Sequence, residues 1–323
     1  MLPTVNQAKA SIFYSERMRF ALINSGLGLL AAASELHRLR PDADLVIAMD
    51  PDGMPWGPRT PQDIAERSLG IARAAARYEP DVIVMACNTG SVHALEALRA
   101  EFEPDIPVVG TVPAIKPAAA VASSVAIWAT VATTASEYQR WLIEEFGGEA
   151  TVTPVACPGL ATAIDAGDNA AIAAAIADAA LRTPDSCGAV VMGCTEYELA
   201  ADQISAAVPG ADLFGSAAAV AAQAMRRAVL ADGVSGPAGN DRAAAANGRT
   251  VSGPAGNARA AGGNGRAAAD GLGESGTLSV LLSGRRADLP PAALQYRQGR
   301  ELAALAAGFD PAAGVDPAAG LAV

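Results

Sequence analysis

The chain has 323 residues, a net charge of -11, 51% hydrophobic residues and only 4% aromatic ones. That length accommodates two domains with their own cores. The negative charge argues against nucleic acid or an anionic membrane as partner, and the scarcity of aromatic residues favours small-residue α/β packing.

No run of about eighteen strongly apolar residues marks a membrane span. Residues 1–18 carry Lys9, Glu16 and Arg17, lack the compact apolar run of a signal peptide, and read as an N-terminal extension. The expectation is a cytoplasmic protein whose cysteines stay reduced.

Short apolar runs then alternate with helical patterns. Phe20 to Ile23 and Asp44 to Ala48 read as strands. Thr60 is suited to cap a helix, with Pro61 in its first position and Asp63 completing a capping pattern. Ile64, Ser68, Ile71, Ala75 and Tyr78 form one face of that helix. Val82 to Ala86 is a buried strand, Val92, Leu95, Leu98 and Phe102 mark one helix, and Val108 and Val109 another strand. Val125 to Ala129 and Gly188 to Met192 follow as strands. Strands alternating with helices predict parallel sheets with crossover helices.

Val82-Ile83-Val84-Met85-Ala86-Cys87 matches Ala189-Val190-Val191-Met192-Gly193-Cys194, and Phe20 to Ser25 loosely matches Val125 to Thr130. The predicted fold is therefore α/β, two similar doubly wound parallel-sheet domains. The first domain is read as 19–112 plus 213–232 and 274–323, the second as 113–212. Interrupting the first domain, 233–273 is a tandem: Val234-Ser235-Gly236-Pro237-Ala238-Gly239-Asn240 recurs as Val251-Ser252-Gly253-Pro254-Ala255-Gly256-Asn257. Such a composition buries too little apolar area to offset ordering entropy, and reads as a disordered insertion. Thr277 to Leu282 resumes as a strand, with a helix near Ala292 to Leu305.

Ligands of doubly wound sheets bind at the carboxyl ends of strands, where Cys87 and Cys194 sit. Each precedes a predicted helix start, whose partial positive charge favours a thiolate. Two thiols facing one another across a pocket can take a proton from one face of a carbon and return one to the other. The plain alternative is that buried cysteines are small hydrophobes, and Cys157 and Cys187 are read that way. No Cys-x-x-Cys pair occurs and His37 and His93 lie far apart, so no metal site is expected. His37, His93 and Lys116 read as packing or solvated residues. Gly26-Leu27-Gly28 is only a weak phosphate-cradle signal.

Several segments resemble the glutamate racemase family, in order and at its spacing. They are Asn24-Ser25-Gly26-Leu27-Gly28, Pro55-Trp56-Gly57-Pro58-Arg59 and Ala86-Cys87-Asn88-Thr89. They continue with Val112-Pro113-Ala114-Ile115-Lys116-Pro117-Ala118, Ala129-Thr130-Val131-Ala132-Thr133, Ala156-Cys157-Pro158-Gly159-Leu160 and Gly193-Cys194-Thr195-Glu196-Tyr197. The resemblance runs from about Arg19 to Leu230, with a weaker return after Thr277. It implies a two-domain α/β enzyme with the active site between the domains, without pyridoxal phosphate or any other cofactor. The implied activity interconverts L- and D-glutamate for peptidoglycan, with a homodimer as the common assembly. It also implies that Cys87 and Cys194 are the catalytic pair. Ser25, Trp56, Gly57, Asn88, Thr89, Thr130, Thr133 and Thr195 would then surround the amino acid.

Three supporting positions depart from the family. Asn24 stands where aspartate is usual, and asparagine cannot take a proton. Glu196 stands where histidine is usual; its charge raises the pKa of a nearby thiol, while Gly-Cys-Thr-Glu resembles the related aspartate racemases. Asp165 stands where the family often has a glutamate. Three functions stay open: a glutamate racemase, a racemase of aspartate or another amino acid, and a non-catalytic module that binds an amino acid or a protein.

Overall fold

A computed structural model describes residues 17–233 and 275–306. Of the extension read from sequence only Arg17 and Met18, and of the tandem insertion only Gly233, fall inside those residues.

Among the described residues, ten strands form two sheets. The first sheet contains β1 (Arg19–Asn24), β2 (Asp44–Met49), β3 (Val82–Met85) and β4 (Val108–Gly110). The second contains β5 (Ser124–Ala129), β6 (Thr151–Ala156), β7 (Ala189–Met192) and β8 (Asp212–Phe214). After the tandem, β9 (Leu278–Leu282) and the short β10 (Arg285–Arg286) return to the first sheet. Its order is β10-β9-β2-β1-β3-β4, against β6-β5-β7-β8 for the second. All pairings are parallel except β9 with β10.

The run β2-β1-β3-β4 repeats as β6-β5-β7-β8, so the segments matched in sequence occupy equivalent places. In each sheet the chain leaves the first strand to one side and returns on the other. That makes β1/β3 and β5/β7 the switch points where ligands bind.

Burial follows from the strand period of two. Phe20, Leu22, Val82 and Val84 point to one side of the first sheet, and Ala21, Ile23, Ile83 and Met85 to the other. The first group joins Ala126, Trp128, Val190 and Met192 of the second sheet in one continuous apolar cluster. The helix Leu29–Leu39 lies in that cluster and packs against the helices Ala217–Gly233 and Arg297–Ala306, which tie the later chain to the first sheet. The central strands are buried on both faces, as near-continuous apolar runs require.

Three sequence readings need correction, and one strand has no counterpart among them. β8 pairs with β7, so the second sheet extends past the boundary read at 212/213. The helix read across Val92 to Phe102 is two, Asn88–His93 and Leu95–Phe102, because Ala94 leaves helical geometry at φ -121°. The helix read near Ala292 to Leu305 is a 3-10 turn, Pro291–Gln295, then the helix Arg297–Ala306, with Tyr296 extended between them. β6 carries Pro154 and has mostly exposed or half-buried residues, the marks of an edge strand, and gave no apolar run to read. Among the described residues no helix is long and apolar enough to cross a membrane.

Candidate active site

Four strand ends converge on one cavity of about 290 Å³, at the small end of ligand-sized cavities. β1 delivers Ser25, β3 delivers Cys87, β5 delivers Thr130 and β7 delivers Cys194. Cys87 caps the helix Asn88–His93, and its Sγ accepts the Gly90 N–H at 3.4 Å. Thr130 caps the short helix Val131–Thr134 and accepts the Thr133 N–H at 3.2 Å. Cys194 precedes the 3-10 turn Thr195–Ala200 and instead donates, its Sγ lying 2.8 Å from Glu196 Oε2.

Of the residues read from sequence, Ser25, Trp56, Gly57, Cys87, Thr89, Thr130, Asp165, Cys194 and Glu196 line this cavity. Asn88 and Thr133 line an adjoining cavity of about 350 Å³, which shares Gly57, Thr89 and Ala132 with the first. Asn24 and Thr195 line neither. Asn24 is fully buried, and its amide donates to Ala86 O at 2.8 Å and reaches Thr195 Oγ1 at 3.2 Å and Glu196 Oε1 at 3.5 Å. Asn88 ties the two cysteine turns together by donating to Gly193 O at 2.7 Å. Cys157, read as structural, is buried and forms part of the cavity wall, as does Thr162, which no sequence pattern marked.

The glycines of the first loop are explained by crowding and not by a phosphate. A Cβ on Gly26 would fall onto the Asp165 carboxylate, 2.7 Å from its Cγ, and one on Gly28 onto Thr195, Asn24 and Glu196. Gly26 thus lets Asp165 come in from the helix Leu160–Ala166 and accept the Leu27 N–H at 2.8 Å.

Electrostatics reverse one expectation. The helix starts were to favour thiolates, but burial, and next the charge of Glu196, push Cys87 up to about 12. The Gly90, Thr89 and Ser25 backbone N–H groups oppose that shift without overcoming it. Burial and Glu196 push Cys194 up as well, and the hydrogen bond it donates to Glu196 holds its proton further. Asp165 is pushed up to about 8 by burial and then by Glu196. At neutral pH the Asp165 carboxyl is therefore mostly protonated, which relieves repulsion with Glu196. No Arg, Lys or His is among the described residues that line the cavity. A bound carboxylate must then find neutral donors such as the hydroxyls of Ser25, Thr89 and Thr130.

Behind Trp56 lies a network that no sequence motif announced. The indole is buried and donates to Asp50 Oδ2 at 2.9 Å. Asp50, at the end of β2, also accepts from Arg67 at 3.2 Å and from Ser283 Oγ at 3.3 Å. A Cβ on Gly90 would sit 3.1 Å from Trp56 Cζ3, so the ring rests on the turn whose N–H meets Cys87.

Comparison with known proteins gives a consistent picture. The family profile described as Asp/Glu/Hydantoin racemase matches residues 23–224. The glutamate racemase of Pseudomonas entomophila is 34% identical over 222 residues, covering 66% of this chain and 83% of the relative. That of Sphingopyxis alaskensis is 37% identical over 228 residues, covering 67% and 82%. The crystal structure of Escherichia coli glutamate racemase, in complex with L-glutamate and the activator UDP-MurNAc-ala, superimposes with a TM-score of 0.62. It is 31% identical and the match covers 66% of this chain and 83% of that one.

Proposed function

This chain belongs to the Asp/Glu/Hydantoin racemase family, and on that premise we propose that it interconverts L- and D-glutamate, supplying the D-form for peptidoglycan. The observation that carries the reading is the pair of thiols, Cys87 and Cys194, on the wall of one amino-acid-sized cavity at equivalent switch points of two like sheets. In this mechanism one sulfur removes the Cα proton and the other protonates the opposite face of the resulting carbanion.

The raised thiols set what the substrate must do. Glu196 accepts the hydrogen bond that the Cys194 thiol donates in the resting site, and after burial its charge is what opposes ionisation of both sulfurs. The ammonium of an entering amino acid compensates that charge and so eases loss of one thiol proton to solvent, leaving the single thiolate the reaction needs. Ser25, Thr89 and Thr130 supply hydroxyl donors for the α-carboxylate, while Asn24 and Thr195 hold Glu196 in place from behind.

A second reading, racemisation of aspartate, is favoured by Glu196 on the cavity wall. Deuterium wash-in at Cα from D2O, run with L- and D-glutamate and with L- and D-aspartate, tests both. Exchange with glutamate is expected, and Cys87→Ser and Cys194→Ser should each abolish racemisation. Exchange confined to aspartate moves the assignment to the second reading. Exchange with neither, or full activity in either cysteine variant, refutes two-thiol racemisation.

A further inference from the structure

The loop from 50 to 60 carries Trp56 and Gly57 to the cavity, and a single carboxylate gathers its surroundings. Asp50 has a side chain only 5% exposed. It accepts hydrogen bonds from three separate parts of the chain: the Trp56 indole, Arg67 of the helix Pro61–Ala76, and Ser283 at the β9–β10 turn. The same turn is bound a second time, since Ser283 Oγ also accepts the Asp52 N–H at 3.2 Å and the Ser283 N–H meets Met49 O at 2.7 Å. A Cβ on Gly53 would overlap both Asp50 and Arg67, so the loop is folded directly over the ion pair.

The other side of the indole faces the chemistry. Trp56 is 1% exposed, lines the cavity, and rests against Gly90. Gly90 in turn directs its N–H at Cys87 Sγ. A buried, bifunctional ring thus links the carboxylate to the thiol: fix the indole nitrogen, and both the wall and the turn beneath the sulfur are fixed. A charged acceptor strengthens such a bond beyond an ordinary one.

Building on the racemase reading, we infer that Asp50 is a positioning residue of the reaction, acting through Trp56 to hold the cavity wall and the Gly90 turn that meets Cys87. It touches no reacting atom. Ser283 belongs to the same device, so the segment that returns after the tandem contributes to the site at one remove.

If the two residues act as a unit, their losses will not multiply. Asp50→Ala and Trp56→Phe are each expected to lower kcat/KM by roughly 10- to 100-fold, the scale of a misplaced catalytic geometry. The double variant is expected to be no slower than the slower single. Asp50→Asn keeps an acceptor for the indole and is expected to recover activity relative to Asp50→Ala; it also serves if the alanine variant fails to fold. Indole emission gives a readout independent of turnover. Asp50→Ala should shift emission to the red and raise acrylamide quenching, and neither change should appear in the Trp56→Phe background. Multiplying losses, wild-type kinetics in a folded Asp50→Ala, or unchanged emission would each overturn the inference. A wild-type protein without exchange would instead overturn the racemase reading, and the emission measurements would still decide whether Asp50 holds the ring.

Discussion

Gly28→Ala separates what the backbone permits from what the neighbours permit. Gly28 caps the helix Leu29–Leu39 with φ -57° and ψ -24°, ordinary helical values. By backbone reasoning alone, alanine there should stabilise the protein by about 0.4–1 kcal/mol, because it restricts the unfolded chain. The folded site says otherwise. The added methyl would overlap Thr195 Oγ1 and lie 2.7 Å from Asn24 Nδ2 and 2.8 Å from Glu196 Oε1. All three side chains are buried, so none can swing into water. Overpacking costs about 1–3 kcal/mol. Parting Asn24 from Thr195, a 3.2 Å contact, costs about 1 kcal/mol more. The net expectation is a loss of roughly 2–3 kcal/mol. Urea unfolding followed by circular dichroism should show the midpoint fall by about 1 M, given slopes of about 1–3 kcal/mol/M. A midpoint that stays put or rises would refute the crowding argument.

Asp165→Asn should change how stability depends on pH. The folded carboxyl is pushed up to about 8 while the unfolded one titrates near 3.8. Between these values the folded protein keeps a proton that the unfolded chain releases, so wild-type stability declines as pH rises through the window. The asparagine variant lacks that decline, and urea midpoints at pH 5, 6.5 and 8 for both proteins should converge or cross; parallel profiles would contradict the assigned shift. Glu196→Gln removes a charge that raises both thiols, secondary only to burial. Iodoacetamide should then alkylate the variant faster than wild type at the same pH, and an unchanged rate would remove Glu196 as a cause.

The fold was legible where burial is two-sided. β1, β3, β5 and β7 are apolar runs because helices cover both faces of each sheet. β8 and β10 have three and two residues, too few to establish a period. Ala94 and Tyr296 break helices whose apolar spacing continues across the break, so periodicity alone joined the pieces. At the site, the cysteines stood out because strand, cysteine and short polar residue recur together. Asp50 gave no such sign: no motif ties it to Trp56 or Arg67 on the same stretch of chain, and only the sheet brings the remote Ser283 near. Cys157 reads as structural because it lacks the paired placement and the following polar residue of the other two, yet it forms part of the cavity wall.

The two cysteine turns share their topology but not their hydrogen bonding: one sulfur accepts a hydrogen bond from an amide, the other donates one to a carboxylate. Mirror-image amino acids have equal free energy in water, so their equilibrium constant is unity and the two directions must share one value of kcat/KM. The inequality between the sulfurs can therefore appear only in how that quotient divides. On the two-thiol reading, one hand of the substrate is expected to saturate the enzyme earlier and turn over more slowly, with the other compensating in the opposite sense.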